Sequence, residues 1–150
     1  MLRGAASLIQ RARKTLWFFT RPETFGVQAI ALTPAGKVIL VRLTYAPGWQ
    51  LPGGGRPRHE DPRAALIREL CEEIGLRTYG AVEHLEDMFA IVDHKRDSAA
   101  LFLVRDVIYE PRPSLEIEAV AEFAPSAMPP GAQRVRAALE RHRGRIGGDA

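Results

Sequence analysis

Only one cysteine, Cys71, occurs in 150 residues, so no internal disulfide can form and the fold must be held by its core. A lone thiol fits a reducing, cytoplasmic setting. No Cys/His cluster has the spacing of a zinc site. No apolar run reaches the roughly 18 residues that a membrane-spanning helix needs, which argues against an integral membrane protein. Arg11, Arg13 and Lys14 interrupt the N-terminal apolar stretch before any cleavage-like site, unlike a secretory signal. No internal repeat and no second domain are visible. With 46% hydrophobic and 26% charged residues, the chain reads as one domain able to bury a core.

The net charge of +3 is unevenly spread. Residues 1–25 carry five basic residues and one acid, and 131–150 carry five arginines and two acids. Between them, 26–130 carries 11 basic and 15 acidic residues. Basic ends around an acidic middle fit either contact with nucleic acid or an anionic surface, or simply solvated termini.

What is present is concentrated in residues 54–76, GGRPRHEDPRAALIRELCEEIGL. Asp61 is suited to cap a helix, Pro62 to occupy its first position and Gly75 to end it. On that helix Glu69, Glu72 and Glu73 stand at i, i+3 and i+4, on one face, while Leu66, Ile67, Leu70 and Ile74 cluster on the other. Like charges at this spacing repel, and Arg68 is the one cation built in beside them. A hard divalent cation, Mg²⁺ or Mn²⁺, would relieve the repulsion. Mg²⁺ is typically held by a few carboxylates together with substrate phosphates.

The same stretch satisfies the pattern G-x5-E-x7-R-E-U-x-E-E-x-G-U, where U is aliphatic, through Gly54, Glu60, Arg68, Glu69, Leu70, Glu72, Glu73, Gly75 and Leu76. At ordinary residue frequencies a chance match is on the order of one in a billion per start position. The chain therefore resembles the Nudix hydrolases (MutT-like), which cleave a nucleoside diphosphate linked to another moiety. The resemblance implies catalytic roles for Glu69, Glu72, Glu73 and Arg68. It implies metal ligation by those three glutamates and the Gly53 carbonyl, and a supporting Glu60–Arg68 salt bridge with Gly54 and Gly75 as fixed glycines. In some relatives a downstream glutamate reaches the metal, which makes Glu116 and Glu118 candidates for an extra ligand or the general base, against the reading of surface acids on a strand edge. Pro57 and His59 stand where relatives often have glutamate and glycine.

Trp49 has two readings, a ring stacked on a base or a core residue. Arg56, Arg58 and His59 are candidates for phosphate contacts, or solvated loop charge. Cys71 reads as a small packing residue. Strands are expected at 26–32, 37–43, 49–51, 81–91 and 99–109, the first two forming a hairpin across the 33–36 turn. Helices are expected at 2–19, 62–74 and 131–145. Residues 1–24 are read as an amphipathic helix packed on the domain, 25–146 as the domain and 147–150 as a disordered tail. This pattern is α+β, and the resemblance sharpens it to an α/β/α sandwich with a mixed sheet.

The implied activity is Mg²⁺-dependent hydrolysis of a phosphoanhydride in a nucleotide-like small molecule, with Mn²⁺ as a substitute. Two alternatives stand beside it: pyrophosphohydrolysis at an RNA 5′ end, and a non-catalytic nucleotide-binding regulator. No downstream tag of the NADH, ADP-ribose, coenzyme A or dinucleoside-polyphosphate subgroups is recognisable. The sequence leaves a homodimer open.

Overall fold

In the computed structural model, which describes residues 23–92 and 95–147, the apolar runs line up at the centre of the molecule. β1 (Glu23–Ala31) lies parallel to β7 (Lys95–Val104) from Glu23 opposite Arg96 to Ala31 opposite Val104. β4 (Gly53–Gly55) pairs antiparallel with the far side of β1, and β6 (Val82–Val92) pairs antiparallel with β7, giving the order β4-β1-β7-β6. A second sheet sets β2 (Val38–Leu43) between β3 (Trp49–Gln50) and β9 (Ile117–Phe123). β5 (Leu76–Thr78) and β8 (Ile108–Tyr109) form a short separate pair.

Side chains alternate along a strand, so the central strands feed two cores. Toward one side, Val27, Ala29, Ile39, Val41, Phe102 and Val104 meet Ala65, Leu66 and Leu70 of α1 (Pro62–Glu73). Toward the other, Ile30, Leu32, Val38, Leu40, Leu101 and Leu103 meet Val135, Ala138 and Leu139 of α2 (Gln133–Arg141). α3 (Arg143–Ile146) follows after a break at His142, so the single helix expected at 131–145 is two. Helices thus cover both faces of a mixed sheet layer, the α+β sandwich that the sequence pattern and the resemblance indicate. Among the described residues no helix is long and apolar enough to cross a membrane.

Several element readings need correction. The turn at 33–36 forms, with Gly36 N–H donating to Thr33 O at 2.8 Å, but β1 and β2 touch only at the Leu32–Val38 bridge. They part into different sheets because each carries apolar residues on both faces, and a two-stranded hairpin would leave one face in water. The strand expected at 99–109 stops at Val104. There Asp106 adopts φ 55° and Val107 N–H turns to Leu32 O at 2.9 Å. β4 and β5 were not expected as separate strands, being glycine-rich or very short, and β9 was read only as a strand edge beside Glu116 and Glu118. The helix expected at 2–19 and the tail at 148–150 lie outside the described residues.

Candidate active site

The helix ends form as their residues dictate. Asp61 Oδ2 accepts the N–H of Ala64 at 3.0 Å, and Pro62 occupies the first turn. Gly75 ends the helix at φ +71°, where a Cβ would lie 1.9 Å from Glu110 O. Because Leu66, Leu70 and Ile74 are fully buried, Arg68, Glu69, Glu72 and Glu73 are turned toward β4.

Arg68 organises this flank. Its Nη2 and Nε donate to the two Glu60 carboxylate oxygens at 2.7 and 3.3 Å, and its Nη1 to Glu69 Oε1 at 2.8 Å. Nη2 also lies 3.4 Å from Gly55 O, and Nη1 lies 3.9 Å from Glu72 Oε1. One planar guanidinium therefore ties the loop before the helix, strand β4 and the helix itself. An ammonium cannot reproduce that fork. Arg68→Lys is expected to lower kcat/KM by roughly 10- to 100-fold, the scale for losing a partner that orients metal ligands, with a smaller fall in Tm; steady-state kinetics beside thermal unfolding checks it.

Glu73 accepts the Gly53 N–H at 2.9 Å, and no lysine or arginine among the described residues forms an ion pair with it. Burial, opposed in part by that N–H and reinforced by Glu69, Glu116 and Glu72, pushes its carboxyl up to about 8. Burial and the Glu72 charge push Glu69 up to about 7, although Arg68 pulls the other way. The Glu69 carboxyl also leans on the backbone: a Cβ on Gly54 would sit 2.5 Å from it.

The donors are hard oxygens, two of them on buried carboxyls that hold protons near neutrality, and this set suits a hard divalent cation. They do not converge as they stand. Among the described residues no three His, Cys, Asp or Glu side chains are placed to hold a metal ion. Like-charged carboxylates separate toward the nearest donors, Glu69 to Arg68 and Glu73 to Gly53, so ligation requires their side chains to rotate inward.

The raised values set a pH dependence. Between the ordinary carboxyl value of 4.5 and about 7 to 8, the folded chain holds protons that the unfolded chain has released. The contribution of these two carboxyls to metal-free stability is therefore complete below 4.5 and is lost as pH rises through 7 and 8. A bound cation competes with those protons, so its stabilisation grows over the same window. Melting curves with and without Mg²⁺ should differ little near about pH 6 and clearly near about pH 9.

The other candidates separate. Glu116 contributes charge at Glu69 and Glu73, whereas Glu118 is paired with Arg42 at 3.2 Å. Trp49 is half-buried, edge-on to Phe123 at 5.1 Å, with the Arg42 guanidinium 5.1 Å from its ring, so the core reading describes it. Arg56 turns inward: it donates to Glu60 O at 3.1 Å, approaches the carbonyls of Pro57 and Arg58, and stands 5.3 Å from the Phe25 ring. Its Nη1 braces the loop, while its Nε is buried without a hydrogen-bond partner among the described residues. Arg58 and His59 are exposed. Cys71 is exposed too, not packed.

Sequence reasoning missed Tyr45. It is 59% exposed, and its hydroxyl is raised by burial and by the charges of Glu116, Glu73 and Glu69. It lines a cavity of about 370 Å³ with Arg42, Thr44, Pro47, Gly48 and Glu118. No local pattern marks it; a lone tyrosine in a turn carries no spacing signal.

A capped helix with an acidic flank, locked by one arginine to a glycine-rich strand inside a helix–sheet–helix sandwich, defines a class of phosphate-handling domain. The NUDIX domain family model matches residues 22–141, and the chain belongs to the Nudix hydrolase family. The solved MutT NUDIX hydrolase from Burkholderia pseudomallei is 28% identical, with a TM-score of 0.67 over 79% of this chain and 96% of that one. An RNA pyrophosphohydrolase from Acidiphilium cryptum is 44% identical over 59 residues, 36% of each chain. Another from Bartonella bacilliformis is 35% identical over 81 residues, 48% of each. The chain thus spans less than half the length of these curated relatives. Members of the family generally use divalent metal ions.

Proposed function

We propose that this chain is a Mg²⁺-dependent pyrophosphohydrolase acting on a phosphoanhydride in a nucleoside diphosphate linked to another moiety, with Mn²⁺ able to replace Mg²⁺. The observation that carries this reading is the geometry of the helix flank: Glu69 and Glu73 sit buried against the backbone of Gly54 and Gly53, with Arg68 tying Glu69 to Glu60. A pure binder has no need of carboxyls held at this cost.

Glu69, Glu72, Glu73 and the Gly53 carbonyl would hold the metal. When bound, a divalent ion neutralises phosphate charge and acidifies water. The chain supplies positioning: Arg68 fixes Glu69 and, through Glu60, the loop, while the glycines of β4 let backbone come close to the ligand. Glu116, whose charge acts on Glu69 and Glu73, or a box glutamate would take the proton from water, Glu118 lying against Arg42 at the surface. Glu116→Gln is therefore expected to lower kcat roughly 10²-fold or more, the scale for a general base, and Glu118→Gln to leave it within a few-fold. Equal effects would reject the assignment.

A second reading, hydrolysis at a triphosphorylated RNA 5′ end, is favoured by the name that the curated relatives carry. The basic C-terminal segment supports it little. Arg141 and Arg145 meet Glu86 and Glu83 at 2.6 and 2.7 Å, and Arg136 donates to Pro129 O at 2.9 Å. Since α2 is part of the core, deleting 131–150 would unfold the domain and cannot test RNA binding. A panel of nucleoside triphosphates, nucleotide conjugates and triphosphorylated RNA, assayed with Mg²⁺ and with Mn²⁺, decides between the readings. Absence of turnover on every member would reject both.

A further inference from the structure

The loop between β2 and β3 walls an open cavity of about 370 Å³, toward the small end of the range for small-molecule sites. Two contacts hold that loop in place. Thr44 donates its N–H to Glu116 O and its hydroxyl to Leu115 O, each at 2.9 Å. Gly48, at φ +83°, lies so close to Gly131 that an added Cβ would stand 2.6 Å from the Gly131 carbonyl oxygen. The cavity is therefore formed in advance, and the segment that anchors it carries Glu116.

Two kinds of surface meet there. The Tyr45 ring is 59% exposed, so much of an aromatic face is open to a ligand. Beside it, Arg42 Nε donates to Glu118 Oε2 at 3.2 Å, and the two side chains are 41% and 53% exposed. The Arg42 guanidinium is steadied by the Trp49 ring, 5.1 Å away, which Phe123 braces edge-on. An exposed ion pair of this kind adds little to stability. It does set a donor beside an acceptor, the pattern that the polar edge of a nucleobase complements. Arg42 and Glu118 are the charged residues of the lining among the described residues, and their charges cancel. The cavity thus offers a further phosphate no net counter-charge. Tyr45 joins it to the helix flank, because its hydroxyl lies in the field of Glu116, Glu73 and Glu69. Gly48 and Gly53 are five residues apart, at most about 17 Å of chain.

We propose that this cavity seats the nucleobase of the substrate, stacked on Tyr45 with its polar edge on the Arg42–Glu118 pair, while the phosphates lie at the acidic flank. The inference rests on the phosphoanhydride reading above and adds to it the part of the molecule that the chain recognises. Tyr45, Arg42 and Glu118 set affinity and base preference and take no part in bond cleavage. That agrees with the small change in kcat expected for Glu118→Gln.

Calorimetric titration in Mg²⁺ reads this without turnover. The probes are the α,β-methylene diphosphates of adenosine, guanosine, cytidine and uridine, which resist hydrolysis, and methylenediphosphonate, which lacks the nucleoside. At least one of the four nucleotides is expected to bind the native chain roughly 10-fold or more tighter than methylenediphosphonate, the scale of one stacked base. Tyr45→Ala is expected to remove most of that roughly 10-fold advantage and to leave methylenediphosphonate within about twofold. Tyr45→Phe keeps the ring and is expected to bind as the native chain does. Glu118→Gln turns an acceptor into a group that also donates, and is expected to change the order of preference among the four bases. All three substitutions lie at exposed positions, and thermal unfolding checks that each variant is folded. Equal binding of all five probes overturns the base site and leaves metal-held phosphate standing, as does equal weakening of nucleotide and methylenediphosphonate by Tyr45→Ala. A loss in Tyr45→Phe as large as in Tyr45→Ala also overturns it, because the residue then acts through its hydroxyl. An unchanged order of bases in Glu118→Gln overturns the assignment of the ion pair. Failure of every probe to bind with either Mg²⁺ or Mn²⁺ overturns the phosphoanhydride reading as well.

Discussion

Glu73→Gln is expected to lower kcat by roughly 10²- to 10³-fold, the scale for removing one preorganised charge-stabilising group, while leaving the fold intact. The amide oxygen can still accept the Gly53 N–H that Glu73 accepts at 2.9 Å, so the helix keeps its tie to β4. What is lost is a negative charge in a place where charge is expensive. Burial holds this carboxyl up near 8, and Glu69, Glu116 and Glu72 add to the cost. A neutral amide removes that cost in the metal-free protein, so its melting temperature should hold or rise slightly near about pH 9, where the native carboxyl is ionised. With Mg²⁺ the order should invert: the cation stabilises the native chain and the variant hardly at all. Glu72→Gln is expected to lose turnover as well, although that side chain is 35% exposed and only loosely paired with Arg68 at 3.9 Å. Cys71→Ser, at an exposed position of the same helix, is the control that should change nothing. Turnover within a few-fold of native in both glutamine variants would remove the basis for the proposed chemistry.

How far such a site can be seen in a sequence depends on the range of the interactions that build it. The acidic flank, the Asp61 cap and the Gly75 stop all depend on residues within one or two turns, and helical spacing exposes them. The Glu60–Arg68 tie spans eight positions; no periodicity reveals it, and the resemblance supplied it. The parallel pairing of β1 with β7 joins Glu23 to Arg96, and nothing local announces that partner. For the same reason the turn at 33–36 misleads about what lies beyond it, since a turn signal describes four residues and not where the flanking strands go.

Residue type alone left Arg56 between two readings. A basic residue beside a glycine-rich strand invites a phosphate; here Nη1 of Arg56 donates to the carbonyls of its own loop, while Nε is buried without a hydrogen-bond partner among the described residues. Glu116 and Glu118 are the same letter two positions apart. The register shift opposite Arg42 and Leu43 accompanies their separation, one toward the acidic cluster and one onto Arg42. Tyr45 enters the field of the cluster only because the loop after β2 is carried there by the sheet.

Gly53→Ala is expected to cost more than about 4 kcal/mol, the range reserved for a named steric failure, and to abolish activity with it. A Cβ at this position would lie 2.0 Å from Val27 O and 2.8 Å from Gln28 Cα. Both are backbone atoms of the central strand β1, opposite which Gly53 is paired, so neither can yield without opening the sheet. Any opening that relieved the contact would also draw the Gly53 N–H away from Glu73. Two other glycines separate this cause from its neighbours. At Gly36 the backbone is left-handed, φ +81°, with nothing within 4 Å of an added Cβ; alanine there should cost only the conformational strain, about 1–2 kcal/mol, and leave turnover alone. At Gly54 the obstacle, 2.5 Å away, is the movable end of Glu69. Gly54→Ala should therefore fold, push that carboxylate aside and lose activity with little loss of stability. Urea unfolding and kcat measured on the three variants should fall into these three patterns; a Gly53→Ala protein as stable as Gly36→Ala would mean that β4 does not press on β1 as closely as the packing around Val27 requires.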